Sequence, residues 1–430
     1  MTMQSSERSK ALELARRIRK QARDDIMQFW LKNAIDEECG GYWTDLGRDG
    51  SRYGEGEKWI VVQTRTIYGM CLGYQFFGEK EFLDAAAHGV DFFCRHFYDP
   101  VNGGCFYCVS RDGRTVLDSS KQPYGTSFVS YSLAEYARLT GEKKVLELAV
   151  ATHELIMDKC WDKKYGGLPN KFSDDWQLIM PIKRVDTHMH TMEGVSALYH
   201  ATGESLYLDR LNMLAGTILG DIGKTGCYDA KHGCTHEMFH MDWTEAIDLT
   251  HGAVVNLGHV TEAGWFISKL AAYTGNERHA SLARGLVDWA IKFGFDRDRG
   301  GLYDYATPDG AIVRNTKTWW NQAELLGALA FLYRQTGEID YLSVLEKQLA
   351  FIERDMLDPE YGEWYPQLEA DGSLSKPRPG EIGRPDAKGH RAKSLYHVIQ
   401  GLYHAHRDLT LAATDIGSAG EELDWADYCL

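Results

Sequence analysis

The feature of the sequence that most limits its fold is a short turn that recurs five times at nearly regular spacing. Each copy places a glycine after an apolar segment and a Glu or Asn after the glycine; the glycines are Gly78, Gly141, Gly203, Gly275 and Gly337. Successive copies lie 62 to 72 residues apart. A glycine suits the left-handed residue that ends a helix, and an acidic residue suits the start of the next helix. The repeat therefore predicts pairs of helices joined by short turns.

A second repeat, with a period of 62 to 67 residues, is a glycine-containing segment that leads into apolar residues. Its six copies begin at Gly40, Gly103, Gly166, Gly233, Gly300 and Gly362. Several copies are followed by an Asp-Gly turn, as at Asp112-Gly113, Asp309-Gly310 and Asp371-Gly372. Short apolar runs bounded by Asp-Gly predict β-hairpins, one in each repeat.

The apolar residues between these markers indicate about twelve helices of two kinds. The first helix of each pair is apolar nearly all round, as in 323–332, which is typical of a helix buried on every side. The second is amphipathic, with an apolar stripe such as Phe82, Ala86, Val90 and Phe93. Six buried helices alternate with six amphipathic helices, and this alternation predicts two concentric rings of helices.

We therefore expect an all-α fold, an (α/α)6 barrel of six helical hairpins in a double ring, with short β-hairpins on one rim. No composition break or linker interrupts the chain, which predicts a single barrel domain over residues 1–430. The first unit, residues 7–34, carries an incomplete form of the repeat.

Polar or aromatic residues occupy matching positions in the first turns of the six apolar helices. They are Arg65, Tyr124, His190, His259, Trp320 and His397, at steps of 59 to 77 residues. Groups at one register of a sixfold ring converge at one mouth of the barrel, where we expect a small-molecule site. Four further polar residues of the same turns are expected to hold substrate or to orient the histidines: Glu193, Glu262, Gln322 and Glu324.

The residue types at this mouth favour proton transfer on a neutral polyol. Histidine, with an unperturbed pKa of about 6.5, can take and return a proton near neutral pH. Tyr124 and Trp320 offer flat faces for a sugar ring, and Arg65 can form strong charge-assisted hydrogen bonds. The sequence contains no phosphate-binding loop, dinucleotide fingerprint or H-E-x-x-H motif. We therefore expect no cofactor and no metal ion.

Other metal-ligand residues lack the spacing of a metal site. Cys105 and Cys108 form a lone C-x-x-C in a strand-like run, whereas a zinc site requires a second pair of ligands. His188 lies two residues from His190 and should face elsewhere on the helix, in a structural role. The histidines of one rim loop match no metal signature and are left unassigned: His232, His236, His240 and His251.

Composition limits the partners and the compartment. A net charge of −15 and a pI near 5.5 argue against nucleic acid and anionic membranes, which require basic surfaces. No apolar run reaches the ~18 residues of a membrane span, and the N-terminus lacks an apolar signal segment. The nine cysteines show no framework spacing. We expect a cytoplasmic enzyme with a small sugar as its partner; a homodimer is compatible with the sequence.

Taken together, the motifs resemble the N-acylglucosamine 2-epimerase superfamily, which also includes cellobiose 2-epimerases and mannose and sulfoquinovose isomerases. The matching segments span about residues 35–410 and are Gln63-x-Arg65-x-x-Tyr68, His190-x-x-Glu193, Asn256-x-Gly258-His259-x-x-Glu262-Ala263-x-Trp265, Trp319-Trp320-x-Gln322-x-Glu324 and Tyr396-His397. The resemblance implies an (α/α)6 barrel. It also implies interconversion of sugars at C1–C2 through proton transfer by paired histidines.

The chain departs from the pattern of this superfamily at four positions. Leu257 stands where proline is common, Gly194 where alanine is usual, and His188 where asparagine is frequent. Ala392 stands where some members carry a tryptophan before Lys393, which removes a surface on which a disaccharide could stack. This last departure concerns the identity of the sugar and leaves the reaction type unchanged.

The favoured function is a cofactor-independent sugar isomerase or 2-epimerase that acts on a mannose-type aldose through a cis-enediol. His397 and His259 would move the protons, and His190 would assist ring opening. N-acylglucosamine and disaccharides are alternative substrates. A glycoside hydrolase or lyase would instead use Glu262 with Asp242 or Glu324 as paired carboxylates. A non-catalytic sugar- or protein-binding ring is the third alternative.

Overall fold

The computed structural model describes residues 5–247, 254–376 and 384–414, and most of them lie in helices. The helices are α1 (Ser5–Gln21), α2 (Gln28–Asn33), α3 (Ile60–Phe77), α4 (Lys80–His96), α5 (Pro123–Thr140), α6 (Lys143–Cys160), α7 (Val185–Thr202), α8 (Ser205–Ile218), α9 (Leu257–Thr274), α10 (Glu277–Gly294), α11 (Trp319–Thr336), α12 (Ile339–Phe351) and α13 (Tyr396–Thr414). A π-helical turn, Ala22–Met27, joins α1 to α2, and another, Ile352–Met356, follows α12.

The strands are two to seven residues long and cluster between the helix pairs. They are β1 (Lys58–Trp59), β2 (Cys108–Val109), β3 (Val116–Asp118), β4 (Pro169–Phe172), β5 (Leu178–Arg184), β6 (Tyr228–Asp229), β7 (Cys234–Thr235), β8 (Met238–His240), β9 (Val255–Asn256), β10 (Tyr305–Ala306), β11 (Ile312–Arg314), β12 (Lys317–Thr318) and β13 (Gln367–Leu368). No helix among the described residues combines the length and the apolar character that crossing a membrane requires.

Six helices form a closed inner ring, in which each helix packs against the next: α3, α5, α7, α9, α11 and α13. The ring closes because α13 returns to contact α3. Outer helices pack against the inner ones, and α1 fills the outer position beside α13. The predicted (α/α)6 barrel is therefore confirmed. The repeat over residues 7–34 is incomplete because this segment supplies an outer helix whose inner partner comes from the other end of the chain.

The two kinds of helix differ in burial as their sequences predict. Along α11, every residue from Asn321 to Tyr333 is buried, because the helix contacts neighbours on all sides. Along α4, burial follows the stripe that contains Phe82, Ala86, Val90 and Phe93. The apolar residues of both rings form one continuous core between them.

The glycine turns have the geometry that their sequence predicts. The five glycines that end α3, α5, α7, α9 and α11 are all left-handed, with φ between 68° and 77°. A Cβ added at Gly78 would meet no atom within 4 Å. Glycine is favoured there because the backbone has a positive φ, and not because space is short. These turns place the start of each outer helix directly after its inner partner.

The β-hairpins pair across neighbouring units and surround the N-terminal ends of the inner helices. The strand that precedes an inner helix pairs with a strand of another hairpin, as in β1 with β2, β5 with β8, β9 with β10 and β12 with β13. Lys58 lies opposite Val109, for example, and Trp59 opposite Cys108. The rim of the barrel is therefore a wall around the first turns of the inner helices.

A buried Asp–Lys ion pair anchors the hairpin in five of the six units. The aspartate begins each glycine segment, and in most units the lysine lies two residues before the inner helix. The pairs are Asp36–Lys58, Asp99–Lys121, Asp162–Lys183, Asp296–Lys317 and Asp358–Lys388, with N–O distances of 2.7 to 3.2 Å. Each pair ties the rim to the start of an inner helix.

The fourth unit uses histidines at this anchor. Val255 occupies the lysine position, and the Asp229 carboxylate instead lies 2.5 Å from His232 Nδ1 and 3.3 Å from His236 Nε2. This contact explains two of the four unassigned rim histidines. His240 is exposed on β8, and His251 lies outside the described residues.

We expect Lys317→Met to lower the free energy of unfolding by about 3 kcal/mol, because it leaves the buried Asp296 carboxylate without its cation. Denaturant unfolding measures this loss. The matched control is Lys10→Met, which breaks the exposed Lys10–Glu346 pair and should cost less than about 1 kcal/mol. Equal losses in both variants would contradict a stabilising role for the buried anchor.

Candidate active site

The three predicted histidines lie together at the mouth of the barrel, in the first two turns of α7, α9 and α13. The ring centres of His190 and His397 are 6.3 Å apart. The indole of Trp320 lies 4.8 Å from the ring of His259 and 5.7 Å from that of His397, tilted by 36° to each. One aromatic side chain of α11 therefore contacts two imidazoles that belong to different units of the barrel.

Each of these histidines has its Nδ1 atom bonded to a buried or nearly buried glutamate. The contacts are His190 with Glu193 at 2.6 Å, His259 with Glu237 at 2.7 Å, and His397 with Glu324 at 2.7 Å. The carboxylate oxygen accepts, so Nδ1 carries the hydrogen and the opposite ring nitrogen, Nε2, remains for chemistry. The three imidazoles are thereby held in a defined orientation.

Glu237 is a site residue that the sequence analysis missed. It lies between β7 and β8 in the hairpin of the fourth unit, 22 residues before His259. Its backbone carbonyl also accepts from Val185 N at the start of α7. The signal in the sequence is its place in the histidine-rich rim loop, directly after His236, but no helical spacing connects it to His259.

The environments of His259 and His397 shift their pKa values in opposite directions. Burial lowers the pKa of His259, but the negative charges of Glu237, Asp186 and Glu262 outweigh burial, and the pKa is raised from 6.5. Burial lowers the pKa of His397, the charge of Arg65 adds to this effect, and the result lies well below 6.5. These shifts favour the protonated form of His259 and the neutral form of His397, and both rings lie against one indole.

Two carboxyl groups at the site are fully buried and incompletely bonded. Among the described residues, neither oxygen of Glu262 has a hydrogen-bond partner, and Oε2 of Glu324 has none. Burial raises the pKa of both groups well above 4.5, and the charges of neighbouring glutamates raise it further. Buried polar atoms without partners are rare in proteins, so their concentration here marks a ligand-binding site.

Two overlapping sets of side chains also approach closely enough to hold a metal ion. They are His190, Glu193 and Glu262, and Glu262, Glu324 and His397, with one donor atom from each residue within 4.8 Å of the others. The Nδ1 atoms of both histidines already donate to glutamates. These hydrogen bonds explain why the histidines and glutamates lie so close together: the glutamates orient the imidazoles for proton transfer.

Arg65 lies buried among aromatic rings beside His190. Its guanidinium carbon is 4.2 Å from the ring centre of Phe128 and 4.7 Å from that of Tyr396, and Nη2 donates to Tyr124 Oη at 3.1 Å. Its Nε–H has no partner among the described residues. A fixed cation with an unused donor can stabilise negative charge that develops on a ligand.

Glu193 is held by residues of two helices and serves to position His190. Its Oε1 atom accepts from the hydroxyl of Tyr396 and from Gln400 Nε2, and its Oε2 atom contacts His190. Both oxygens are therefore occupied by protein groups. The structure thus favours the orienting role for Glu193 over a contact with substrate.

Gln322, which was expected to bind substrate, is bonded to the protein scaffold. Its amide oxygen accepts from Leu302 N, and its amide nitrogen donates to the carbonyls of Leu302 and Thr318. Gln63 makes the equivalent pair of bonds to Tyr42. These amides join a hairpin to the inner helix that follows it, so the structure gives Gln322 a structural role in place of the expected one.

His188 also bonds to the backbone, as its predicted structural role requires. Its Nε2 accepts from Leu168 N at 2.9 Å, and its Nδ1 donates to the Arg184 carbonyl at 2.7 Å. Both ring nitrogens are thus used by the backbone. The two histidines of this turn, His188 and His190, therefore have different roles.

A cavity of about 300 Å³ lies at the rim next to Trp320, the side chain that contacts His259 and His397. Trp320 forms part of its wall, and so does Asn256, whose side chain accepts from Gly258 N and His259 N at the start of α9. Tyr305 and Trp319 supply further aromatic surface. Its size and mixed lining are those of a small-molecule site.

Comparison with known proteins identifies the family of this chain. The family model described as N-acylglucosamine 2-epimerase matches residues 41–400. The D-mannose isomerase of Marinomonas mediterranea is 27% identical over 90% of this chain and 96% of its own. The cellobiose 2-epimerase of Bacteroides fragilis is 25% identical over 84% and 93%.

The fold agrees as well. The solved structure of cellobiose 2-epimerase from Spirochaeta thermophila superposes with a TM-score of 0.82, at 24% identity, over 94% of this chain and 99% of that chain. The family match covers most of the sequence and all six inner-helix starts. The chain belongs to the N-acylglucosamine 2-epimerase family and is an isomerase or epimerase of sugars.

Proposed function

We propose that this enzyme acts on a mannose-type aldose and moves protons at C1 and C2 through a cis-enediol. The observation that carries the proposal is the pair of imidazoles with opposite pKa shifts against the Trp320 indole. His397 is neutral and acts as the base, whereas His259 holds a proton and acts as the acid. General acid–base catalysis works best when each group has the protonation state that its step requires.

The reaction begins on the open-chain sugar. His397 Nε2 removes the C2 proton, the electrons of that bond form the C1=C2 double bond, and the carbonyl oxygen O1 takes up negative charge or a proton. Return of a proton to C1, with loss of the O2 hydroxyl proton as the C2 carbonyl forms, yields the ketose. Return of a proton from His259 to the opposite face of C2, with loss of any proton on O1 as the C1 carbonyl reforms, yields the epimer.

The remaining groups have distinct roles in this scheme. Arg65, whose Nε–H is unused, stabilises the negative charge on the enediolate oxygens. His190 assists ring opening through its Nε2. Trp320 and Tyr124 hold the flat faces of the sugar. Glu262, whose two carboxyl oxygens have no hydrogen-bond partner among the described residues, can hydrogen-bond a substrate hydroxyl.

The choice of sugar rests on two observations. The mannose isomerase relative is similar over nearly its full length. Ala392 lines the cavity beside the site, where some members of the family carry a tryptophan, so a second sugar ring would lose a stacking surface. N-acylglucosamine and disaccharides are the alternative substrates within the same reaction class.

Hydrolysis is less compatible with the carboxyl groups at this mouth. A glycoside hydrolase requires one ionised and one protonated carboxyl group across the substrate. Glu324 is already bonded to His397 Nδ1 through Oε1, which commits it to orienting that imidazole. Asp242 is exposed and closes a turn with Thr244, so it does not share the buried environment of Glu262.

We also propose a cytoplasmic location for the enzyme. The cysteines of the described residues are free thiols, and most of them are buried. Unpaired cysteines in this number fit a reducing compartment.

We expect His259→Ala and His397→Ala each to lower kcat by at least about 100-fold, because each removes a proton-transfer group. NMR in D2O follows turnover of mannose, glucose and fructose, and it also detects deuterium that enters at C1 or C2. Circular dichroism verifies that the variants remain folded.

The matched control is His240→Ala, because His240 is exposed on the same rim and should leave turnover unchanged. Full activity in either active-site variant would overturn the assignment of these residues. Product formed without any deuterium at C1 or C2 would exclude the enediol.

We expect a bell-shaped dependence of kcat/KM on pH, with the acid limb below 6.5 and the alkaline limb above it. The acid limb reports His397, whose pKa is lowered, and activity is lost as this base is protonated. The alkaline limb reports His259, whose pKa is raised, and activity is lost as this acid is deprotonated. Initial rates at low substrate concentration measure both limbs.

Glu237→Gln should move the alkaline limb to lower pH, because the carboxylate that raises the pKa of His259 is removed. Glu245→Gln is the control, since Glu245 contacts His236 in the same hairpin. An alkaline limb that stays in place in Glu237→Gln, or that moves equally in both variants, would assign it to another group.

A further inference from the structure

Three units of the barrel join the hairpin to the inner helix by the same hydrogen bond, which we call the hairpin tie. In each unit, a side chain five residues after the lysine of the buried Asp–Lys pair accepts from the backbone N–H that follows the second glycine of the hairpin. The three ties are Gln63 with Tyr42 N at 2.9 Å, His188 with Leu168 N at 2.9 Å, and Gln322 with Leu302 N at 2.8 Å.

The sixth unit makes this tie with a charged pair. The lysine of its buried Asp–Lys pair is Lys388, and five residues later stands Lys393, whose ammonium group can only donate. The N–H that needs an acceptor belongs to Trp364, and it donates to Glu363 Oε1 at 2.8 Å. Lys393 Nζ donates to the same oxygen at 2.7 Å. Glu363 and Lys393 are both fully buried, so the tie of this unit is a buried ion pair.

Glu363 occupies the place of the second glycine, where other units have no room for a side chain. A Cβ added at Gly41 would lie 2.5 Å from Gln63 Oε1, and one added at Gly167 would lie 2.8 Å from His188 Nε2. A neutral tie and a side chain at this position therefore compete for the same space. Glu363 must also adopt a φ of 57°, which is unfavourable for residues other than glycine.

Further contacts hold Glu363 in this strained conformation. Trp30 Nε1 donates to its Oε2 atom at 2.6 Å, and the Glu363 N–H donates to the Asp25 carbonyl at 2.9 Å. The Glu363 carbonyl accepts from Lys388 Nζ at 3.0 Å. A strained residue that several contacts enforce is typical of a position with a functional task.

The charged tie lies directly before the helix that carries the proposed base. Lys393 is three residues before α13 and four before His397. Besides burial and Arg65, the charge of Lys393 lowers the pKa of His397, which favours the neutral imidazole. The ring of His397 is held by Glu324 of α11, so the start of α13 determines the direction from which Nε2 reaches the substrate.

We propose that Glu363 and Lys393 are positioning residues for the base: their ion pair fixes the start of α13 so that His397 Nε2 is aligned with the C2 proton of the sugar. This inference rests on the proposed function, because it takes His397 as the base. Charge-assisted hydrogen bonds are stronger than neutral ones, so this tie restrains α13 more firmly than an amide could. Small errors of alignment strongly lower the rate of a proton transfer.

The test removes the pair in two steps. It follows turnover of mannose, or of whichever of glucose and fructose the unmodified protein converts, and it measures unfolding in denaturant. Glu363→Gln keeps the size of the side chain and removes its charge. We expect kcat to fall by at least about tenfold and KM to change by less than about twofold, because alignment in the transition state is lost and substrate binding is kept.

The double variant Glu363→Gln/Lys393→Met separates alignment from stability. It removes both charges and leaves no buried ion of this pair without its partner, so stability should return toward that of the unmodified protein. The charged tie is still absent, so kcat should remain at least about tenfold lower.

The matched control is Arg334→Met/Asp408→Asn, which removes an ion pair at the other end of α13. Arg334 Nη1 lies 3.0 Å from Asp408 Oδ1, and Asp408 is eleven residues after His397. This variant should lose stability but keep kcat and KM, because it leaves the first turn of α13 in place.

A native kcat in both Glu363 variants, together with lost turnover in His397→Ala, would overturn this inference and leave the proposed function standing. A kcat that recovers with stability in the double variant, a double variant that does not fold, or an equal loss of kcat in the control would overturn it too, because each assigns the pair to the fold alone. Absence of turnover by the unmodified protein, or full activity in His397→Ala, would instead overturn the proposed function, and the inference with it.

Discussion

The hydrogen bond between an imidazole Nδ1 and a buried or nearly buried carboxyl group is the interaction on which this active site depends. It occurs three times, at His190, His259 and His397, and each time it occupies Nδ1 and leaves Nε2 for chemistry. The three bonds are chemically alike but their surroundings differ. The negative charges around His259 raise its pKa, whereas burial and Arg65 lower the pKa of His397. One type of contact thus yields an acid and a base.

The double ring of helices makes this arrangement possible. Inner helices that are apolar on all sides pack into a closed ring, so their first turns face one another whatever their separation along the chain. Buried Asp–Lys pairs and the Gln63, His188 and Gln322 side chains then fix the rim to those first turns. A rigid support of this kind holds catalytic groups more accurately than a loop could.

Much of this arrangement is predictable from the sequence, because the repeat specifies it. The five turn glycines and the apolar helices predict the ring, and the register of His190, His259 and His397 predicts their convergence. Glu237 was not predictable, because it reaches His259 from a hairpin whose path depends on tertiary packing. Gln322 shares the first two turns of α11 with Trp320 and Glu324, and spacing alone could not reveal that its amide bonds to a hairpin backbone.

The central claim is that two imidazoles against the same indole hold opposite protonation states near neutral pH. NMR titration of the histidine ring carbons in the free enzyme tests it most directly, with His259→Ala and His397→Ala used to assign the signals. We predict that the His397 signal remains that of a neutral ring down to a pH well below 6.5, and that His259 titrates above 6.5. Titration of both rings together near 6.5, or in the reverse order, would contradict the account.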